Sequence, residues 1–177
     1  FLDLATDTRT LDLTGAHGYV GSATVSGREG DAERVGMVRV THGFFTTLGV
    51  APALGRLFTP EEDRPNAPRV ALISDGFWHR RFAGAPATLG EVIRVNAEPY
   101  TVIGVLPAAY RHLEEDPDRS ADVFLPFGFD AASANRGGHF IRAVGRLTAG
   151  ASVDQSQAEL AAVAKRAVES ANETDRW

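Results

Sequence analysis

Apolar residues recur along this chain with two periods, and each change of period marks a new element. Phe1, Leu4, Thr8 and Leu11 are spaced as on one face of a helix, so the pattern predicts a short amphipathic helix at the start. From His17 to Ser26 the period becomes two, with Tyr19, Ala23 and Val25 alternating against Val20, Ser22 and Thr24. The run from Val35 to Val40 alternates again. Gly27-Arg28-Glu29-Gly30-Asp31 separates the two runs as a turn, so together they predict an antiparallel hairpin.

Thr41 is placed to cap a short helix whose buried face is Phe44, Phe45 and Leu48. Gly49 fits the left-handed stop position and Val50 the apolar residue after it. Thr59-Pro60-Glu61-Glu62 has the form of a capping box with proline at the first helical position. Val70-Ala71-Leu72-Ile73 is apolar at every position, which predicts a strand buried on both faces. Ser74 follows as the cap of a helix with Phe77, Trp78 and Phe82 on its inner face and Arg80 and Arg81 near its C-terminal end, where positive charge is favourable. Val92 to Val95 and Tyr100 to Val105 flank Asn96-Ala97-Glu98-Pro99 as a second hairpin with a four-residue turn.

The stretch from Arg111 to Ser120 is polar and reads as a loop, as does Ala131 to Gly138, while Val123-Phe124-Leu125 and Phe140 to Leu147 read as strands. Ser152-Val153-Asp154-Gln155 is a second capping box, and behind it lies the longest helical pattern, with Val153, Leu160, Ala164, Ala167 and Ala171 on one stripe and Ala161 and Val168 beside it. This order predicts an α+β fold with mostly antiparallel pairing.

Composition narrows the function classes. The 177 residues carry a formal net charge of -5, which argues against a nucleic-acid surface, since that needs a basic face. There are no cysteines, so disulfides and thiolate metal sites are excluded. No apolar run approaches a membrane span, and Phe1-Leu2-Asp3-Leu4 reads as the middle of a longer chain rather than a signal peptide.

Candidate chemistry is sparse. His17, His42, His79, His112 and His139 share no metal-ligand spacing and read as surface or cap positions. Glu114, Glu115, Asp116 and Asp118 could offer oxygens to a hard cation, but they lack a calcium-loop pattern and read as a solvated loop. Ser74-Asp75-Gly76 with His79 suggests a hydrolase, yet position 72 is Leu where a nucleophile elbow needs glycine. Glu61, Glu62 and Asp63 point apart on a first helical turn, where they would favour the helix dipole rather than share a substrate. Gly49, Gly55, Gly90 and Gly104 follow no phosphate-loop spacing. No catalytic, cofactor or metal residues are therefore assigned.

The order of pieces from Thr41 onward is more telling. Thr41-His42-Gly43-Phe44-Phe45-Thr46-Thr47-Leu48-Gly49-Val50 leads to Pro52-Ala53-Leu54-Gly55-Arg56-Leu57-Phe58 and Pro60-Glu61-Glu62-Asp63. Then come Val70-Ala71-Leu72-Ile73-Ser74, Phe77-Trp78-His79-Arg80-Arg81-Phe82, Leu89-Gly90, Ile93-Arg94-Val95-Asn96 and Pro99-Tyr100-Thr101-Val102-Ile103-Gly104-Val105. Asp122-Val123-Phe124-Leu125-Pro126 and Val144-Gly145-Arg146-Leu147 follow in step. The series resembles the MacB-like periplasmic core domain of ABC-transporter permeases, in the large-permease branch.

That resemblance implies a discontinuous porter-like α/β subdomain, residues 1–50 and 137–177, with a small β-rich, Sabre-like subdomain inserted at 51–136. It implies a site on the periplasmic side of the inner membrane, between two membrane helices of a permease. That permease works as a dimer driven by a cytoplasmic ATPase subunit or domain, in some members with a periplasmic adaptor. The domain would couple ATP-driven motion to extrusion and would hold no catalytic residue; a sensor or docking module for a peptide or envelope protein is the alternative. Where the sequence departs from the family, a strand expected before the first helix is missing and Ala108 to Ser120 matches poorly. Gly49 and Gly137-Gly138 would give backbone freedom at the two crossings. Each half would then own a core: Phe44, Phe45, Leu48, Leu160 and Val168 in one, and Leu72, Phe77, Trp78, Ile93, Val102 and Phe124 in the other.

Overall fold

A computed structural model describes residues 7–27, 32–113, 120–128 and 141–174. The strands are β1 (Leu11–His17), β2 (Gly21–Ser26), β3 (Glu33–Val40), β4 (Leu54–Gly55), β5 (Val70–Ile73), β6 (Val92–Val95), β7 (Glu98–Val105), β8 (Ala121–Pro126) and β9 (Arg142–Leu147). The helices are α1 (Phe44–Leu48), α2 (Asp75–Phe82) and α3 (Val153–Thr174), with a single 3-10 turn at Pro86–Thr88. The α+β class holds, and pairing is mostly antiparallel; β3 with β8 and β5 with β7 are the parallel exceptions.

The strands run in the order β2-β6-β7-β5-β8-β3, and β3 pairs again with β2, so six of them close into a ring. Closure leaves no free ladder edge on these six. Two positive-φ residues, Asn96 (50°) and Ala97 (71°), form the β6–β7 turn, so this hairpin turns in two residues where the sequence suggested four. β1 and β9 form a separate antiparallel ribbon, joined to the ring through one described residue pair, His17 with Val40.

Every ring strand sends alternate residues inward: Ala23 and Val25, Val35, Ala71 and Ile73, Ile93 and Val95, Val102, then Val123 and Leu125. Phe77 of α2 joins this interior, with Trp78 and Phe82 packed beside it. A second cluster lies on the outer face of β3, β8 and β5, where Val38, Val40, Leu72 and Phe124 meet Phe44 and Phe45 of α1, and Phe58. β5 and β8 are thus buried on both faces, as the unbroken apolar run of β5 required.

Two clusters exist, but Leu72 and Phe124 belong with Phe44 and Phe45, not with Phe77, Trp78 and Ile93. Successive strand residues face opposite ways, so Ala71 and Ile73 point into the ring while Leu72 points out. Trp78 stays with the ring interior, its indole N–H donating to Ala85 O (3.0 Å) and Thr88 Oγ1 (3.1 Å). Val168 and Gly137-Gly138 lie outside the described side chains and residues. A swing about the two crossings would have to break the β3–β8 and β2–β6 ladders, which join the first segment of the chain to its middle.

Several local readings change. Leu11 opens a strand rather than closing a helix, and the rest of that expected helix lies almost wholly outside the described residues. Thr41 does not cap α1; Gly43 holds the N-cap position, while the Thr41 hydroxyl accepts from Ala16 N at 2.8 Å and pins β1 to the end of β3. Gly15 lets α1 lie flat on β1, since a Cβ there would stand 2.5 Å from Phe44 Cα. Residues 60–66 make turns and not a helix, because Pro65 falls among them and Pro68 just after, and neither can continue one. Gly49 does terminate α1 in the left-handed conformation, with φ 73°. The Ser152–Gln155 box forms fully, with Gln155 N donating to Ser152 Oγ (3.1 Å) and Ser152 N to Gln155 Oε1 (2.9 Å). Among the described side chains of α3 the buried positions are Ser156 and Val163, with Leu160 half-buried; Val153, Ala161 and Ala164 are exposed.

Candidate functional sites

Ser74 follows β5 and accepts from Phe77 N (3.0 Å), so it caps α2 as expected. Its hydroxyl donates to Asp122 Oδ1 (2.9 Å), a carboxylate on neighbouring β8. Arg80, in the last turn of α2, bridges Asp122 Oδ2 (3.0 Å) and Glu33 Oε1 (2.7 Å). His79 faces elsewhere, its Nδ1 at 3.0 Å from Asp75 O and 3.4 Å from Asp75 Oδ2. Ser74 therefore meets a carboxylate and a helix N–H, while the imidazole serves its own turn. This is an anchor tying α2 to β3 and β8. Sequence reasoning missed Asp122 and Glu33; the one available signal was a lone acid at the head of the apolar run Val123-Phe124-Leu125.

A cleft of about 630 Å³ opens here, lined by Asp75, Arg80, Tyr110, His112 and Asp122 among others. His112 is buried, and so is His17, contrary to the expectation of surface or cap positions. Their rings lie 4.8 Å apart, edge to face. Phe44 and Phe124 complete the enclosure around His112 at 5.9 and 6.0 Å. The Tyr110 hydroxyl meets His112 Nδ1 at 3.1 Å, and His112 Nε2 has no partner among the described residues. Burial, with His17 beside it, lowers His112 to about 4. The pair gathers from positions 95 residues apart because the chain after β7 folds back over the outer cluster.

The acids of the turn at 61–63 do separate. Glu62 is clamped by Arg56 (2.6 and 2.8 Å) and takes Thr59 N (2.9 Å), which together hold it below the usual carboxylate range. Asp63 accepts from His42 N (2.8 Å) and Gly128 N (2.9 Å), joining three segments. They do so from a turn, not from the helix N-terminus that the sequence suggested. Among the described residues no group of three or more metal-binding side chains occurs; Glu114, Glu115, Asp116, Asp118 and His139 lie outside them. No described helix is long and apolar enough to cross a membrane.

The fold is that of the extracytoplasmic domains of ABC-type permeases. It resembles the periplasmic region of MacB from Actinobacillus actinomycetemcomitans with a TM-score of 0.68 at 17% identity, over 93% of this chain and 72% of that one. It also resembles the extracellular domain of the noncanonic ABC-type transporter YknZ from Gram-positive bacteria (0.62, 18%, 89% and 76%). A domain of a putative permease protein from Porphyromonas gingivalis matches with 0.70 at 17% identity, over 93% and 68%. No curated protein matches the sequence. Residues 3–163 match the model of the MacB-like periplasmic core domain, and the chain belongs to that family.

Proposed function

We propose that this chain is the non-catalytic extracytoplasmic part of an ABC-type efflux or export permease, transmitting ATP-driven motion to extrusion outside the membrane. Its partners are then the membrane helices of the same permease, a cytoplasmic ATPase, a second permease copy and, in some assemblies, a periplasmic adaptor. The observation that carries the reading is the family match over residues 3–163. The arrangement of the chain ends supports it. Glu159 on α3 accepts from Arg9 N and Thr10 N (2.9 Å each), and Asp7 lies 4.0 Å from Arg166. The entering segment and the leaving helix therefore run side by side and would be moved together by paired membrane helices.

The division into a porter-like part (1–50 and 137–177) and a Sabre-like insert (51–136) is part of this proposal. α1, β1, β9 and α3 come from the first set and β4 to β8 from the second, while β2 and β3 are shared through the ring. Relative motion is then a bend of the outer ribbon against the ring. Fractionation of the full-length protein tests the placement: it should sediment with membranes, with this segment cut by protease only from the extracytoplasmic side. Recovery in the soluble cytosol contradicts it. The purified chain should neither bind nor hydrolyse ATP.

A second reading, an extracytoplasmic docking or sensing module for a peptide or envelope protein, is favoured by an open groove of about 1100 Å³ at the far end of the ring from the Ser74 anchor.

A further inference from the structure

The groove lies where β5 and β7 begin and β8 ends. Arg39, Arg56, Arg64 and Arg69 line it against Glu62 and Glu98. In a chain of net charge -5 this is a local excess of positive charge. Arg56 is neutralised by Glu62 (2.6 Å) and Arg69 by Glu98 (2.7 Å). Arg39 places Nη1 on Pro126 O (2.8 Å) and has no carboxylate within ion-pair distance among the described residues. Among the described residues Arg64 reaches only Glu61, at 4.0 Å, with both side chains more than two-thirds exposed (68% and 69%). Two guanidiniums thus keep their charge for something else.

The walls are already ordered. Pro65, Pro68, Pro99 and Pro126 line them, and Asn66 is held at φ 61° between two of the four. Fixed proline dihedrals lower the ordering cost of binding. Val92, 44% exposed, and the partly buried Ile103 add apolar surface. Glu62 and Glu98, interspersed among the arginines, repel a densely charged polyanion but tolerate carboxylates spaced along a polypeptide.

We propose that this groove binds an acidic, extended polypeptide segment of a partner protein, its carboxylates on Arg39 and Arg64 and its apolar side chains against Val92 and Ile103. The proposal rests on the docking reading above and leaves the permease reading standing if it fails, because binding is read on the 177-residue chain alone.

The probe is a fluorescein-labelled peptide of repeating Glu-Leu-Asp-Pro, with Gln-Leu-Asn-Pro as its neutral counterpart, followed by anisotropy. The acidic peptide should bind, weaken as salt rises, and outbind the neutral one by about tenfold or more. Arg64→Glu should cost about tenfold in affinity with an unchanged melting temperature, since Arg64 makes no described side-chain hydrogen bond. Arg39→Gln should add to the loss, and Lys165→Glu on α3 should change nothing. Equal binding of the neutral peptide, no binding at low salt, or indifference to Arg64→Glu overturns the proposal. So does Arg64-dependent sedimentation with phosphatidylglycerol vesicles in the absence of peptide binding, which would assign the groove to a membrane surface.

Discussion

The two apolar clusters lie back to back on the same strands and are built from different residues. Inside the ring the side chains are mostly β-branched or small: Val25, Val35, Ile73, Ile93, Val95, Val102 and Val123, with Phe77 closing one side. Outside, the packing is aromatic, with Phe44, Phe45, Tyr110 and Phe124 in edge contacts of 5.3 to 5.8 Å and two buried histidines among them. Stiff rotamers inside a closed ladder make a body that moves as one. The outer layer is held to it by side-chain contacts, the Thr41–Ala16 hydrogen bond and a single β1–β3 residue pair. Under the proposed function the ring would be the scaffold and the β1–β9 ribbon with α1 the part that yields.

The largest effect should come from opening the scaffold. Phe77→Ala removes a fully buried ring from the interior and should cost about 3–5 kcal/mol. Near- and far-ultraviolet circular dichroism should melt together in this variant, because the ring is common to both regions.

The outer layer has its own signature in pH. His112 is held neutral with its pKa lowered from 6.5 to about 4. Its contribution is therefore complete above about 6.5, shrinks as pH falls, and is gone below about 4. The loss should approach about 3 kcal/mol in chemical denaturation. Most of the window lies above the carboxylate range, so His112→Phe, which keeps an aromatic ring against Phe44 and Phe124, should flatten it. An unchanged acid profile in that variant would remove the histidine from the account.

Gly15→Ala separates the regions more finely. The added methyl meets the Phe44 backbone, and such overpacking costs about 1–3 kcal/mol. Hydrogen exchange should show β1, β9 and α1 losing protection while β5, β6 and β7 keep theirs. Ser152→Ala should have the smallest effect, about 1 kcal/mol, by loosening only the start of α3.

Much of this was legible in the sequence where the signal is local. The Ser74 cap, the apolar run of β5, the β6–β7 hairpin and the Ser152 box each rest on residues within a few positions of one another. Leu11 fits two patterns, since Leu11-Asp12-Leu13-Thr14 alternates as a strand while Phe1, Leu4 and Leu11 also fit a helical stripe. Leu72 and Phe124 fall in the outer cluster because a strand buried on both faces serves two cores, and its apolar run does not say which residue faces which. The ring closure, the parallel β3–β8 ladder and the His17–His112 contact are long-range pairings with no local pattern to announce them. Arg39 and Arg64 likewise stand out only once the ion pairs of their neighbours are known.

The proposed function requires that the outer layer, with α3 continuing from β9, move against an unchanging ring when ATP is used. The chain has no cysteines, so spin labels can be placed at Val92→Cys on β6 and Val153→Cys at the start of α3, both exposed. The measurement is the interspin distance in the full-length permease assembled with its ATPase, nucleotide-free and ATP-trapped. The Val92–Val153 distribution should shift between the two states, while a ring pair at Val92 and Arg34 stays fixed. Identical Val92–Val153 distributions in both states would contradict the account.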